Sequence, residues 1–227
     1  MGAIYYWNII GKAIKILHLF SSGAATTAVF NLIEGMTEEM NQALPKAYKK
    51  IMEATAASGF TMASDVLICS LLRTLAASKP GGKMLELGTG TGLSASWILD
   101  GMDAQSSLVS VDNDPAFLQI ASQFLKDDQR LQLVTADGGE WVAANGMQKF
   151  DYIFADTWHG KYLLLDEVLN MLTPGALYII DDMLPQPNWP EGHAEKATRL
   201  IKDLEDRKDL VLTKQLWATG IIIAVKK

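Results

Sequence analysis

The chain has 227 residues and a formal charge of −6, with 20 Lys and Arg set against 26 Asp and Glu interspersed along it. That balance leaves no cationic stripe for a phosphate backbone and argues against nucleic acid as a partner, while the length suits one α/β domain with an appendage. The single cysteine, Cys69 in the apolar run Val66-Leu67-Ile68-Cys69, excludes an internal disulfide and fits a reducing cytoplasm.

The first segment, "MGAIYYWNIIGKAIKILHLF", places Ile9, Ile10, Ile14, Leu17 and Leu19 near helical spacing, broken by Lys12, Lys15 and His18. It lacks the basic start and cleavage site of a signal peptide. Nor does it offer about 20 uncharged residues to span a bilayer. The pattern predicts an amphipathic helix that packs on the domain or on a second copy of the chain in a homodimer, without membrane insertion. "SSGAATT" follows as a flexible joint. No strand-like alternation occurs before residue 80, so residues 1–80 read as an N-terminal helical extension and 81–227 as the main domain.

From residue 83 short apolar runs alternate with helical patterns: "KMLELG", "SLVSVD", "LQLVT", "FDYIFA" and "ALYIID", then "LVLTKQLW" and "GIIIAVKK". This alternation predicts a mostly parallel sheet built from βαβ units. Helices are expected over Pro115 to Lys126 and over Lys161 to Leu172, the second halted by Thr173-Pro174-Gly175. The last two runs, parted by Ala218-Thr219, predict an antiparallel hairpin.

Three runs end in ligand-binding chemistry. "LELGTGTGLSASWIL" sets Gly88, Gly90 and Gly92 between a strand and a helix, where a sharp bend and close approach to a ligand need residues without a Cβ. The spacing has Leu93 where a dinucleotide fingerprint wants glycine, and Glu86 is a poor neighbour for a pyrophosphate, so NAD is disfavoured. Asp112, 24 residues after Gly88, is placed to accept hydrogen bonds from both hydroxyls of a ribose. "TADGGEW" puts Asp137 and Gly138 at the third mouth. Either aspartate alone could be a helix cap; together with the glycine turn they suit a nucleoside without phosphates.

Asp156 ends the fourth run, and Asp181 and Asp182 end the fifth, 25 residues on, the length of one right-handed crossover. Three converging carboxylates repel one another unless a cation neutralises them, and all-oxygen ligation suits Mg²⁺, Mn²⁺ or Ca²⁺. The alternative is that Asp181 and Asp182 cap the next segment. Beyond them "MLPQPNWPEGH" reads either as a stiff loop over the site, with Trp189 facing a planar substrate, or as a capped entry to the helix after Gly192.

These motifs resemble those of class I S-adenosylmethionine-dependent methyltransferases. "TMAS", "FADTW" and "LYIIDDM" are similar to the catechol and caffeoyl-CoA O-methyltransferase group, over roughly residues 60 to 227. The resemblance implies a Rossmann-like seven-stranded sheet with a reversed last strand and helices on both faces. For the cofactor, S-adenosylmethionine, it implies Glu86, Gly88, Gly90 and Ser94 around the methionine part, Asp112 on the ribose and Asp137 and Gly138 near the adenine. Met62, Ser64, Asp156 and Trp158 complete that set. It implies a divalent cation on Asp156, Asp181 and Asp182, the last usually Asn in that group. Three residues after Asp156 the group usually carries a lysine base; here stands His159, with Lys161 two positions on.

A histidine of ordinary pKa accepts a proton near neutrality, so His159 is the expected base, with Lys161 or metal-bound hydroxide as alternatives. The expectation is a cytoplasmic, cation-assisted O-methyltransferase acting on a small hydroxylated, catechol-like acceptor. A metal-independent transferase acting on nitrogen or another oxygen competes with it, as does a non-catalytic cofactor-binding or interaction protein.

Overall fold

The computed structural model describes residues 44–186 and 189–227. The expected amphipathic N-terminal helix and the joint after it lie outside the described residues.

Each of the seven apolar runs is a strand: β1 (Lys83–Leu87), β2 (Ser107–Asp112), β3 (Leu131–Thr135), β4 (Phe150–Ala155), β5 (Leu172–Ile180), β6 (Leu210–Gln215) and β7 (Ile221–Lys226). They form one sheet in the order β3-β2-β1-β4-β5-β7-β6. The first five strands pair in parallel, and β7 runs antiparallel to both β5 and β6. Continuous apolar runs, rather than alternating ones, mark strands covered on both faces. Tyr152, Ile153 and Phe154 of β4 and Tyr178, Ile179 and Ile180 of β5 are all fully buried.

Helices α1 (Tyr48–Ser58) and α2 (Val66–Ala77) precede β1, and α3 (Leu93–Gly101), α4 (Pro115–Leu125) and α5 (Gly138–Asn145) link the strands that follow. Then come α6 (Leu165–Asn170) and α7 (His193–Glu205). Capping is written locally. Asp65 accepts the Leu67 N–H at 2.7 Å, and Asp114, just before the N-terminal Pro115, accepts the Ala116 N–H at 2.8 Å. Residues 45–227 form one compact unit, so α1 and α2 share it with the sheet.

The helix expected over Lys161 to Leu172 is only six residues long, Leu165–Asn170. Its anticipated first turn is a loop instead. The Trp158 carbonyl accepts the N–H groups of Lys161, Tyr162 and Leu163 at 3.2, 2.9 and 3.0 Å, and Gly160 and Leu164 adopt left-handed φ of 88° and 56°, which interrupts a right-handed helix. Thr173-Pro174-Gly175, expected to stop that helix, lies inside β5. Pairing with β4 jumps there from Phe150↔Leu172 to Tyr152↔Leu177, a bulge that accommodates proline without a broken ladder.

The order in which strands join the sheet reverses at β1: they are added outward from β1 to β3, and β4 then returns to β1's other side, still parallel to it. A crevice opens at the carboxyl ends of the strands at such a switch point.

Candidate functional site

A cleft of about 620 Å³ occupies that crevice, within the range of small-molecule sites. Its floor is the turn after β1. Gly88, at φ 101°, lies so close to β4 that a Cβ there would stand 2.7 Å from the Asp156 carbonyl oxygen. The turn is tied to β2 by Asp112, whose carboxyl accepts the Gly90 N–H at 2.7 Å and the Asp114 N–H at 2.9 Å. Phe60, against Gly90, and Phe117 form an apolar wall beside this end, their rings 4.6 Å apart. Gly88, Gly90, Ser94, Asp112, Met62 and Ser64 all line the cleft, and the Ser64 hydroxyl donates to Asp156 at 3.2 Å.

Glu86 is not among the lining residues. It is fully buried behind the glycine turn, where Ser110 donates to one carboxyl oxygen at 2.5 Å and the other oxygen has no partner among the described residues. Burial dominates over the hydrogen bonds from Ser110 and Ser94 and pushes its pKa up to about 8. Glu86 is therefore a neutral acid at pH 7, not the anion its place in the sequence suggests.

At the other end Asp156, Asp181 and Asp182 all reach the cleft, as their spacing predicts. Asp181 is held above the ordinary carboxylate range by burial and then by the charges of Asp156 and Asp182; Asp182 is raised by burial and by Asp156. The Thr219 hydroxyl, from the β6–β7 turn, donates to Asp181 at 2.5 Å, and the same carboxyl oxygen accepts the Asp182 N–H at 2.7 Å.

The structure brings Lys161, not His159, to these carboxylates. Lys161 is 5% exposed; its ammonium lies 3.3 Å from Asp156 and donates to the Asp181 carbonyl at 2.8 Å. Burial alone would lower its pKa, but Asp156, Asp182 and Asp181 together raise it above the usual lysine value. His159 is instead packed over Gly138 and Gly139 at the start of α5, with its Nε2 3.9 Å from Asp137. Asp137 caps α5, accepting the Gly139 and Glu140 N–H groups at 2.8 and 3.1 Å. None of Asp137, Gly138 and His159 is among the cleft's lining residues.

The three carboxylates have the oxygen chemistry of a hard-cation site, but their arrangement does not fit one: no group of three acidic, histidine or cysteine side chains among the described residues is disposed to hold an ion. One Asp181 oxygen is spent on Thr219 and the backbone, and the Lys161 ammonium already supplies positive charge.

Four rings close this end. Trp158 meets Tyr162 at 5.7 Å and His193 at 5.9 Å; His193 meets Tyr162 at 5.1 Å and Trp189 at 4.4 Å. The Lys196 ammonium sits 4.3 Å over the Trp158 ring. Tyr162, Thr219 and Phe60 were not singled out by motif or spacing. The sequence offered only the adjacency of Tyr162 to Lys161 and of Thr219 to a turn.

The methyltransferase domain family matches residues 85–183. A protein of Mycobacterium leprae (strain Br4923), provisionally named an O-methyltransferase, is 28% identical over 141 residues, 60% of each chain. The chain thus spans about three-fifths of that relative's length. Among solved structures, an O-methyltransferase from Bacillus cereus in complex with SAH superposes with a TM-score of 0.75 at 16% identity, over 86% of this chain and 97% of that one. A protein of Staphylococcus aureus, provisionally named a caffeoyl-CoA O-methyltransferase, gives 0.72 at 15% identity, over 86% and 100%. At these identities the structural likeness is one of fold. Residues 85–183 are thus similar to a methyltransferase domain, and the fold that carries them is a Rossmann-like seven-stranded sheet whose last strand is reversed.

Proposed function

We propose that this chain is an S-adenosylmethionine-dependent O-methyltransferase, acting in the cytoplasm on a hydroxyl of a small, catechol-like acceptor. One observation carries the proposal: a single cleft joins the glycine turn and Asp112 at one end to Lys161, three carboxylates and a wall of aromatic rings at the other. Asp112, pinned by two backbone N–H groups, would hold the ribose. Gly88, Gly90 and Ser94 would border the methionine part, and Phe60 and Phe117 an apolar face of the nucleoside.

When bound, the cofactor supplies a methyl group on a sulfonium that an oxygen displaces in line. The chain's task is then alignment and charge. Lys161, held as an ammonium, favours the ionised form of a nearby acceptor hydroxyl and keeps the oxygen in place. It is a better electrostatic clamp than a base, because its proton is already bound. The rings of Trp158, Tyr162 and Trp189 exclude water and suit a flat acceptor.

A second reading adds a divalent cation on Asp156, Asp181 and Asp182, which would have to rearrange from the disposition described above to hold it. Its support is the meeting of three carboxylates in one cleft, where burial first and then neighbouring charge raise Asp181 and Asp182. A homodimer through residues before 44 is part of the same proposal.

The test is calorimetric titration with S-adenosylmethionine beside NAD, followed by transfer of labelled methyl to catechol, 3,4-dihydroxybenzoate and dopamine, with Mg²⁺ or with a chelator. Absence of S-adenosylmethionine binding refutes the proposal. Loss of transfer in chelator, restored by Mg²⁺, selects the cation-assisted form.

A further inference from the structure

A hydroxyl acceptor must lose its proton as the methyl group arrives. The Lys161 ammonium, committed to Asp156 and to the Asp181 carbonyl, has no vacancy for it. His159 lies over Gly138 and Gly139. The cleft contains one further pair of ionisable side chains joined by a hydrogen bond: the Tyr162 hydroxyl and His193 Nε2, 3.1 Å apart. Tyr162 directly follows Lys161 in the turn after β4. His193 is the first residue of α7.

We propose that Tyr162 and His193 form the proton relay for the acceptor hydroxyl, Tyr162 touching the acceptor and His193 receiving the proton. This rests on the methyltransferase assignment above. As the acceptor oxygen's lone pair forms the new O–CH₃ bond, the methyl's bond to sulfur breaks and its electron pair stays on sulfur. The acceptor O–H bond also breaks. Its proton passes to the Tyr162 oxygen while the Tyr162 proton passes to His193 Nε2, leaving an imidazolium that discharges to solvent.

The surroundings of His193 suit a transient proton carrier. Its Nδ1 is buried with no hydrogen-bond partner among the described residues, so the charged ring gains no second anchor. The rings of Trp158 and Trp189 and the Tyr162 hydroxyl face it, and the cations Lys161 and Lys196 act on it from two elements. Asp182 acts on Tyr162. Burial, then Lys161 and Lys196, hold the His193 pKa below the ordinary imidazole value, which leaves the ring neutral near pH 7. The relay requires Nε2 to accept from Tyr162, and so a neutral ring that carries its proton on Nδ1.

Two measurements test the relay. The chain has three histidines, so long-range ¹H–¹⁵N correlation on the ligand-free protein can assign the His193 tautomer. The expected result is Nδ1–H, with Nε2 unprotonated and its shift altered in Tyr162→Phe. An Nε2–H tautomer overturns the relay.

Methyl transfer to 3,4-dihydroxybenzoate, catechol and dopamine is then followed against pH. In the wild type the rate falls on the acid side, below the ordinary imidazole range, as the imidazole protonates. His193→Gln and Tyr162→Phe each lower kcat by about 10²-fold. Affinity for S-adenosylmethionine changes less than about twofold, because neither side chain is assigned to the cofactor. His193→Gln loses the acidic limb, whereas Asp182→Asn keeps it. A limb retained in His193→Gln, or lost only in Asp182→Asn, sinks the relay and leaves the methyltransferase assignment intact. Cofactor bound without transfer to any of the three acceptors does the same. If the wild type binds no S-adenosylmethionine, both fall.

Discussion

Glu86→Gln tests the electrostatics of the site's foundation without touching the cleft. In the unfolded chain this carboxyl ionises near its ordinary 4.5; in the fold, burial holds the proton up to about 8. Between those values the folded state binds one proton more than the unfolded state, so rising pH favours unfolding. The stability tied to this proton is fully present below about pH 4.5 and is lost as pH climbs through about 8. One proton corresponds to about 1.4 kcal/mol per pH unit, and integration from pH 6 to pH 8 gives about 2 kcal/mol.

Glutamine has nearly the same shape and no charge to lose, so the variant should lack this slope. Urea unfolding followed by tryptophan fluorescence at pH 6, 7 and 8 measures it. The expected outcome is that Glu86→Gln gains about 2 kcal/mol on the wild type between pH 6 and pH 8. Asp181, also raised, contributes to both proteins and cancels in the difference. Parallel pH curves for the two proteins would show that Glu86 is ionised in the fold and that its burial has been misjudged.

Lys161→Met should lower kcat for methyl transfer by 10²-fold or more, since it removes the charge beside the acceptor oxygen. It should also destabilise the fold by about 3 kcal/mol, because Asp156 and Asp181 lose a buried cation; single-turnover assay and thermal melting report the two effects separately. Asp112→Asn should weaken S-adenosylmethionine binding by about 2 kcal/mol, the value of hydrogen bonds to a charged group, as read by calorimetry. His159→Ala, by contrast, should leave turnover within about twofold of wild type, because its ring packs on α5; a 100-fold loss would restore it as the base. Gly88→Ala should reduce soluble, cofactor-binding protein, since the new methyl group meets the Asp156 carbonyl oxygen at 2.7 Å, and a dissociation constant unchanged from wild type would refute that clash.

The sheet was legible because burial on both faces leaves its mark directly as unbroken apolar runs such as "FDYIFA" and "GIIIAVKK". The convergence of Asp156, Asp181 and Asp182 was legible too, because strand ends and crossover length fix it. What spacing could not supply was the direction of side chains after a strand ends. His159 stands three residues after Asp156, where the resemblance led one to expect the base, yet the tight turn at Gly160 swings Lys161 into the cleft and leaves His159 over Gly138. Proline and glycine at 174 and 175 read as a helix stop because a bulge at the exposed start of a strand carries the same residues as a turn. The Thr219–Asp181 bond joins residues 38 apart in sequence, and nothing near either announces it.

The position of β7 between β5 and β6 has a bearing on how the molecule matures. A nascent polypeptide halted before residue 221 has β6 with no neighbour to pair with, and β5 with one side of its ladder bare. Thr219, whose hydroxyl donates to the buried Asp181, cannot be locked in place until that late segment emerges and inserts. Ribosome-stalled intermediates should therefore expose a sticky β5 edge that chaperones can recognise, and acquire ligand-binding competence abruptly rather than by degrees.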